Sequence, residues 1–220
     1  MCGRFSQEAT WQELREYYNL IPSQPAMNLA ARYNIGPLQS ATIIRETDGG
    51  REAVKARFDL RPDLKRFSMF NAKSETVTEK ATFKGPWAKG QRAILPVTGF
   101  YEWPRPKVTG APPFHITAAG GGRLQLAALY GRWFNPNTQE DEATFAILTT
   151  SPNADMAAVP HHRSPVVIDE AATETWLTGD VAKAAALLTS PPDGAYAMVR
   201  VSSYVNKIGN EGPECVEPLA

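Results

Sequence analysis

Short strand-like runs recur along the whole chain without the regular strand–helix–strand alternation that builds a doubly wound parallel sheet. Thr42–Arg45 and Glu52–Arg57 flank Asp48-Gly49-Gly50, a pattern that predicts a hairpin. Further runs are expected at Cys2–Phe5, Arg92–Val97, Phe114–Thr117, Arg123–Tyr130, Thr144–Thr149, Val166–Ile168 and Tyr196–Val201. Helices are fewer. Thr10 with Glu13 makes a capping box, the series Trp11, Leu14, Tyr17 and Tyr18 supplies an apolar face, and Pro22 and Pro25 are expected to end that helix. Two more are expected at Glu170–Leu177, capped by Asp169 and stopped by Gly179, and at Val181–Leu188, capped by Asp180. The 18 prolines are spread through the chain and mark no domain boundary. The expectation is one α+β domain over residues 1–220, with a mostly antiparallel, barrel-like β core flanked by short helices.

Several classes of protein are excluded early. No apolar run approaches the roughly 18 residues of a membrane span. The start MCGRFSQEAT has neither the basic nor the apolar part of a secretory signal, and Gly follows Cys2 rather than Met1, so a cytoplasmic protein without a lipid anchor is expected. In that reducing compartment the two cysteines, Cys2 and Cys215, are not expected to pair. Formal net charge is zero, yet residues 55–107 hold 12 Lys/Arg against 5 Asp/Glu. Segregation of this kind can present one basic face to nucleic acid, or it can be a scatter of solvated side chains.

The placement of Cys2 carries the chemistry. A cysteine freed at an N-terminus bears an amine and a thiol two carbons apart. With an aldehyde the amine forms an imine, and the thiol then closes a five-membered thiazolidine ring. An internal cysteine or lysine cannot do both. At pH 7 about 14% of an α-amine is neutral against about 0.04% of a lysine, so the nucleophile is available without a special environment. A nearby cation such as Arg4 would help to ionise the thiol. The alternative is that Cys2 is simply a small buried hydrophobe.

Other segments hold groups of the right type. Asn71-Ala72-Lys73-Ser74-Glu75-Thr76 is polar and turn-like. Gly99-Phe100-Tyr101-Glu102-Trp103 sets one carboxylate among aromatics, where it can pass protons near neutrality, unless Glu102 lies on an exposed strand. His161-His162-Arg163-Ser164-Pro165 offers an imidazole for acid–base work and a guanidinium for a phosphate, or else a structural turn. His115 lies in an expected strand and reads as structural. No spacing fits a metal site and no cofactor motif occurs, so neither metal nor cofactor is expected.

Taken together these segments resemble the SOS-response-associated peptidase (SRAP) family, whose members shield abasic sites by covalent cross-linking. The resemblance covers nearly the whole chain: the MCGRF start, Arg32-Tyr33-Asn34-Ile35-Gly36-Pro37, the hexad from Asn71, Gly99–Trp103, His161-x-Arg163-x-Pro165, and Val205-Asn206 followed by Glu214-Cys215-Val216-Glu217-Pro218. It implies a partner, single-stranded DNA containing abasic sites, and a set of roles. Cys2 resembles the nucleophile exposed by self-removal of Met1. Asn71 is similar to the asparagine that orients the linkage, Glu102 to the carboxylate that promotes opening of the sugar, and His161 to the histidine that moves protons as the ring forms and reverses. Arg4, Asn34, Lys73 and Arg163 match DNA-binding positions, and a monomer is expected. The chain departs from the family at Phe58-Asp59-Leu60-Arg61-Pro62-Asp63-Leu64, where a Trp-Gly-x-x-Pro-x-Trp stretch is common. Phe67 or Phe70 is the expected substitute for those base-wedging tryptophans. Lys73 stands where arginine is common, keeping charge but losing a bidentate phosphate contact. A thiol peptidase acting on other proteins through Cys2, His161 and Glu102, and a non-catalytic single-stranded DNA-binding module, remain as alternatives.

Overall fold

A computed structural model describes residues 2–61, 63, 68–104, 111–159 and 161–219. The chain opens with strand β1 (Phe5–Gln7), helix α1 (Trp11–Tyr18) and strand β2 (Arg32–Ile35). The hairpin β3 (Ser40–Thr47) and β4 (Gly50–Phe58) follows, then β5 (Asn71–Lys73), α2 (Ala81–Ala88), β6 (Arg92–Val97) and β7 (Gly99–Glu102). The second half holds β8 (Phe114–Ala118), β9 (Leu124–Asn135), β10 (Glu140–Thr150), α3 (Ala154–Ala158), β11 (Ser164–Pro165), α4 (Thr173–Thr178), α5 (Val181–Ala186) and β12 (Tyr196–Arg200). None of the described helices is long and apolar enough to cross a membrane.

Five strands in the order β10-β4-β3-β6-β9 close into a barrel, because β9 pairs back onto β10. A second sheet runs β12-β8-β7-β1-β2. The α+β class and the mainly antiparallel pairing are as the sequence suggests. Among the named strands two pairings are parallel, β10 with β4 and β10 with β5. Since β4 and β5 meet successive stretches of one strand, Ala143–Phe145 and then Ile147–Thr149, the start of the polar hexad is drawn into the barrel wall. The hexad is therefore a strand and a one-turn helix, Ser74–Thr76, rather than the expected turn.

Local chemistry explains the elements that frame the site. In α1 the Thr10 hydroxyl accepts from the Glu13 N–H at 3.3 Å and the Glu13 carboxylate accepts from the Thr10 N–H at 2.8 Å. The helix ends on Asn19 in the left-handed region, φ 50°, before either proline is reached. The expected first strand begins later than predicted, so Cys2 lies ahead of β1, although the Arg4 carbonyl still accepts from the Tyr101 N–H at 2.8 Å. Gly99 must be glycine where β7 meets β8: a Cβ there would collide with the His115 ring and lie 2.8 Å from the Ile116 carbonyl.

Among the described residues three buried clusters form, and two of them are large. One, around Phe58 and Phe145, joins the barrel to the second sheet; these rings stack at 4.9 Å, and Phe5 and Phe70 meet Phe58 edge-on. The other packs α1, α2 and α4 on the barrel through Leu14, Trp87, Trp176, Ile44 and Ile94. Each large apolar side chain so buried contributes about 1.5–3 kcal/mol.

Candidate active site

Four segments far apart in sequence converge ahead of β1. Asn71, the first residue of β5, donates its side-chain N–H to the Cys2 carbonyl at 2.9 Å and to the Phe70 carbonyl at 3.0 Å. Its Oδ1 is buried and has no hydrogen-bond partner among the described residues. An acceptor thus stands open beside the residue whose amine the proposed chemistry needs. Glu102 closes β7 and is buried, and its Oε2 lies 3.0 Å from His161 Nε2. On the other side of that ring, Nδ1 lies 2.8 Å from the Arg163 carbonyl.

The carbonyl fixes the proton inventory. It can only accept, so Nδ1 carries a hydrogen and Nε2 faces the carboxylate. Nε2 and Oε2, 3.0 Å apart, are placed to exchange a proton. A buried pair arranged this way can deliver a proton or receive one with little movement.

Cys2 is buried, with 1% of its surface exposed. Burial pushes its thiol well above the ordinary range, and the nearby Glu102 carboxylate pushes in the same direction. The amino terminus and the Arg4 backbone N–H oppose them without reversing the shift. The sulfur is therefore a protonated thiol at neutral pH, against the expectation that Arg4 would ionise it. Arg4 is turned elsewhere. Its Nη1 donates to Asn34 Oδ1 at 2.7 Å and to the Val205 carbonyl at 2.8 Å, and its guanidinium lies 5.7 Å from the centre of the Trp103 ring.

The expected DNA-binding residues divide. Lys73 is exposed at the end of β5. Asn34 is fully buried: its amide donates to the carbonyls of Val205, Lys207 and Asn210 while its oxygen receives Arg4. It holds Arg4 and the last loop together and offers no atom to solvent. Arg163 is also buried. It grips Glu75 through two hydrogen bonds, 2.6 and 2.9 Å, and donates to the Thr149 carbonyl at 2.5 Å, so its charge is spent on the protein. Phe70 is half-buried and packs edge-on against Phe58 at the margin of the core. Met1 and Phe67, on which two expectations rest, lie outside the described residues.

Among the described residues, the basic side chains of the 55–107 segment do not all face solvent. Arg92 turns inward to the carbonyls of Trp176 and Gly179, Arg61 pairs with Asp63, and Arg57 lies over Trp133, whereas Lys80, Lys84 and Lys89 are exposed. Both cysteines are free thiols in different clusters. His115 is buried against Ser6 and Tyr101, and burial alone lowers its pKa to about 4, so it is neutral and structural. Among the described residues no group of three His, Cys, Asp or Glu could hold a metal.

Some neighbours of the site escaped the sequence reading. Glu75 belongs to the hexad, but nothing in the spacing pairs it with Arg163, 88 residues away. Ser164 and Tyr196 are joined through their hydroxyls at 3.2 Å, and Tyr196 shares the buried cluster of Cys2. An isolated tyrosine in a strand carries no signal that would have found it.

Comparison with known proteins gives a consistent picture. A family model described as SOS response associated peptidase (SRAP) matches residues 1–208. The abasic site processing protein YoqW of Bacillus subtilis (strain 168) is 30% identical over 227 residues, 99% of each chain. The abasic site processing protein HMCES of Gallus gallus is 29% identical over 178 residues, 72% of this chain but 52% of its own length. A solved protein from Bacteroides thetaiotaomicron covers 100% of both chains with a TM-score of 0.84 at 23% identity, which is a likeness of fold.

Proposed function

Because this chain belongs to the SOS response associated peptidase family, we propose that it handles abasic sites in DNA, capturing the aldehyde of the baseless sugar on Cys2 once Met1 has been removed. The observation that carries this reading is the convergence of Cys2, Asn71, Glu102 and His161 from four separate segments.

Hydrolysis of the Met1–Cys2 peptide bond consumes one water and leaves an α-amine on Cys2. An abasic sugar is mostly a closed hemiacetal, and the Glu102–His161 pair can move the hydroxyl proton that opens it to the aldehyde. The amine adds to that carbon and water leaves, giving an imine. The thiol then adds across the C=N bond: the S–C bond forms, the π electrons pass to nitrogen, and the thiol proton ends there. The open Asn71 Oδ1 suits an N–H of the attacking amine, while its N–H fixes the Cys2 carbonyl. An imine at C1′ leaves the 3′ phosphate prone to β-elimination. Ring closure removes the imine, so the strand is preserved.

Turnover as a thiol peptidase on other proteins is the weaker reading. A peptidase nucleophile is held as a thiolate by a cation or paired imidazole. Here burial and Glu102 both keep the sulfur protonated, and the imidazole faces the carboxylate.

The test is intact mass spectrometry of the purified protein before and after incubation with single-stranded DNA containing one abasic site. The expected results are a chain lacking Met1 and a denaturation-resistant adduct, lost in Cys2→Ala. A chain that retains Met1 and still cross-links, or a Cys2→Ala protein that cross-links as well as the parent, would remove Cys2 from the account. Salt-sensitive binding with no covalent product would favour the non-catalytic DNA-binding module.

A further inference from the structure

A groove of about 720 Å³ opens between helix α2 and the outer half of β9. On the α2 side it is lined by Ala81 and Gly85, and a Cβ added at Gly85 would meet nothing within 4 Å. On the β9 side it is lined by Trp133 and Phe134. Phe134 is 52% exposed and Trp133 is half-buried, so two adjacent rings border one open space. The Arg57 guanidinium lies 5.7 Å from the centre of the Trp133 ring and restrains that indole.

Charge selects the occupant. The lining holds Arg61, Lys89 and Arg132 against one carboxylate, Asp63. Arg61 pairs with Asp63 and Arg132 with Asp141, but every side chain in these pairs is at least 40% exposed. Ion pairs so exposed contribute little and can exchange for a phosphate. Lys89 ends α2 and is exposed. Surplus positive charge beside aromatic rings matches a polyanion whose units each carry a flat base. An acidic peptide would satisfy the cations alone. The groove is also continuous with the candidate site. Leu60, which lines it, donates its N–H at 3.1 Å to the carbonyl of Met69, two residues before Asn71. The hexad then runs through exposed Lys73 and on to exposed Lys80, which caps α2.

We propose that this groove holds the single strand on one side of the abasic site, with a base stacked on Phe134 and phosphates meeting Lys89 and Arg132. The inference rests on the reading that the chain handles abasic sites in DNA, and it adds a second hold on the strand away from Cys2. None of the groove residues takes part in the covalent step.

The experiment measures reversible binding by fluorescence anisotropy in a Cys2→Ala background. The probes are single-stranded oligonucleotides with one abasic site and about ten nucleotides on each side, or with either flank cut to about two. On the long probe Phe134→Ala should weaken binding by about 5- to 150-fold, the loss expected for one base stack. Phe134→Tyr, which keeps the ring, should recover most of that loss. Lys89→Gln should lower the salt slope by about 0.7. Cutting one particular flank should erase the difference between the parent and both variants, and cutting the other should preserve it. Urea midpoints of the variants should stay at the parental value, since both side chains are exposed. Parental binding by both Phe134→Ala and Lys89→Gln, or an equal loss on all three probes, would overturn the proposal. So would unchanged DNA binding together with loss of a dimer in Phe134→Ala, seen by light scattering, which would assign the groove to a second copy of the chain. A parent protein that neither binds nor cross-links abasic DNA would instead overturn the reading of function.

Discussion

At the scale of single residues, burial decides what each group can do. In the proposed reading Glu102 and His161 act as a unit, with Oε2 and Nε2 3.0 Å apart. Glu102→Gln preserves a hydrogen bond to the ring but removes the group that exchanges a proton with it. Adduct formation should fall by about 10²–10⁴-fold, measured as the single-turnover rate on abasic DNA, with His161→Gln affected to a similar degree. His115, the other buried imidazole, gives a second prediction. Its pKa is about 4 in the folded chain against an ordinary 6.5, so the unfolded state binds the extra proton between those values. Stability is full above pH 6.5 and falls as pH drops toward 4, by about 2 kcal/mol at pH 5. Urea midpoints at pH 7.5 and pH 5 should differ accordingly, and His115→Gln should flatten the difference. The residue types at the centre of the site were legible from the sequence, since an aminothiol, a carboxylate among aromatics and an imidazole each announce a chemistry. Their partners were not. Whether Arg163 meets a phosphate or Glu75, and whether Arg4 meets the thiol or Val205, is settled by contacts across 88 and 201 residues that no local pattern encodes.

At the scale of elements, the parts governed by nearest neighbours follow their sequence signals most closely. The capping box of α1 is present in both its bonds. Thr10→Ala should cost about 1 kcal/mol and lower the melting temperature by about 2–4 °C, readable by thermal denaturation with the adduct yield unchanged. The β3–β4 hairpin and β6 stand where alternation and turn residues put them. The elements that sequence reasoning misses are those that tertiary contacts impose. Helix α2 contains Pro86 and has no side-chain cap, so nothing local argues for it; Phe83 and Trp87 hold it against the core. Strand β5 reads as a turn because three residues cannot show a period, and only the neighbouring stretch of β10 makes it a strand. The same pairing delivers Asn71 to Cys2, so the least predictable element is the one that builds the site.

At the scale of the whole molecule, the balance of charge says less than the state of each charge. A single strand of DNA releases counterions only to cations that are free to meet its phosphates, and the binding constant then falls with salt by about 0.7 per phosphate neutralised on a logarithmic scale. Arg163 is neutralised by Glu75, whereas Lys73 stands exposed on the neighbouring β5. The comparison is cleanest in a Cys2→Ala background, where binding is reversible and its salt dependence can be measured by fluorescence anisotropy. Lys73→Gln should reduce the slope by about 0.7 at little cost in stability. Arg163→Gln should leave the slope nearly unchanged and instead lower the urea midpoint, because it breaks the tie between the hexad, Thr149 and the segment that orients His161. Equal losses of slope in the two variants would mean that Arg163 leaves Glu75 when DNA arrives, and its carboxylate partner would then be a gate on phosphate binding rather than a strut.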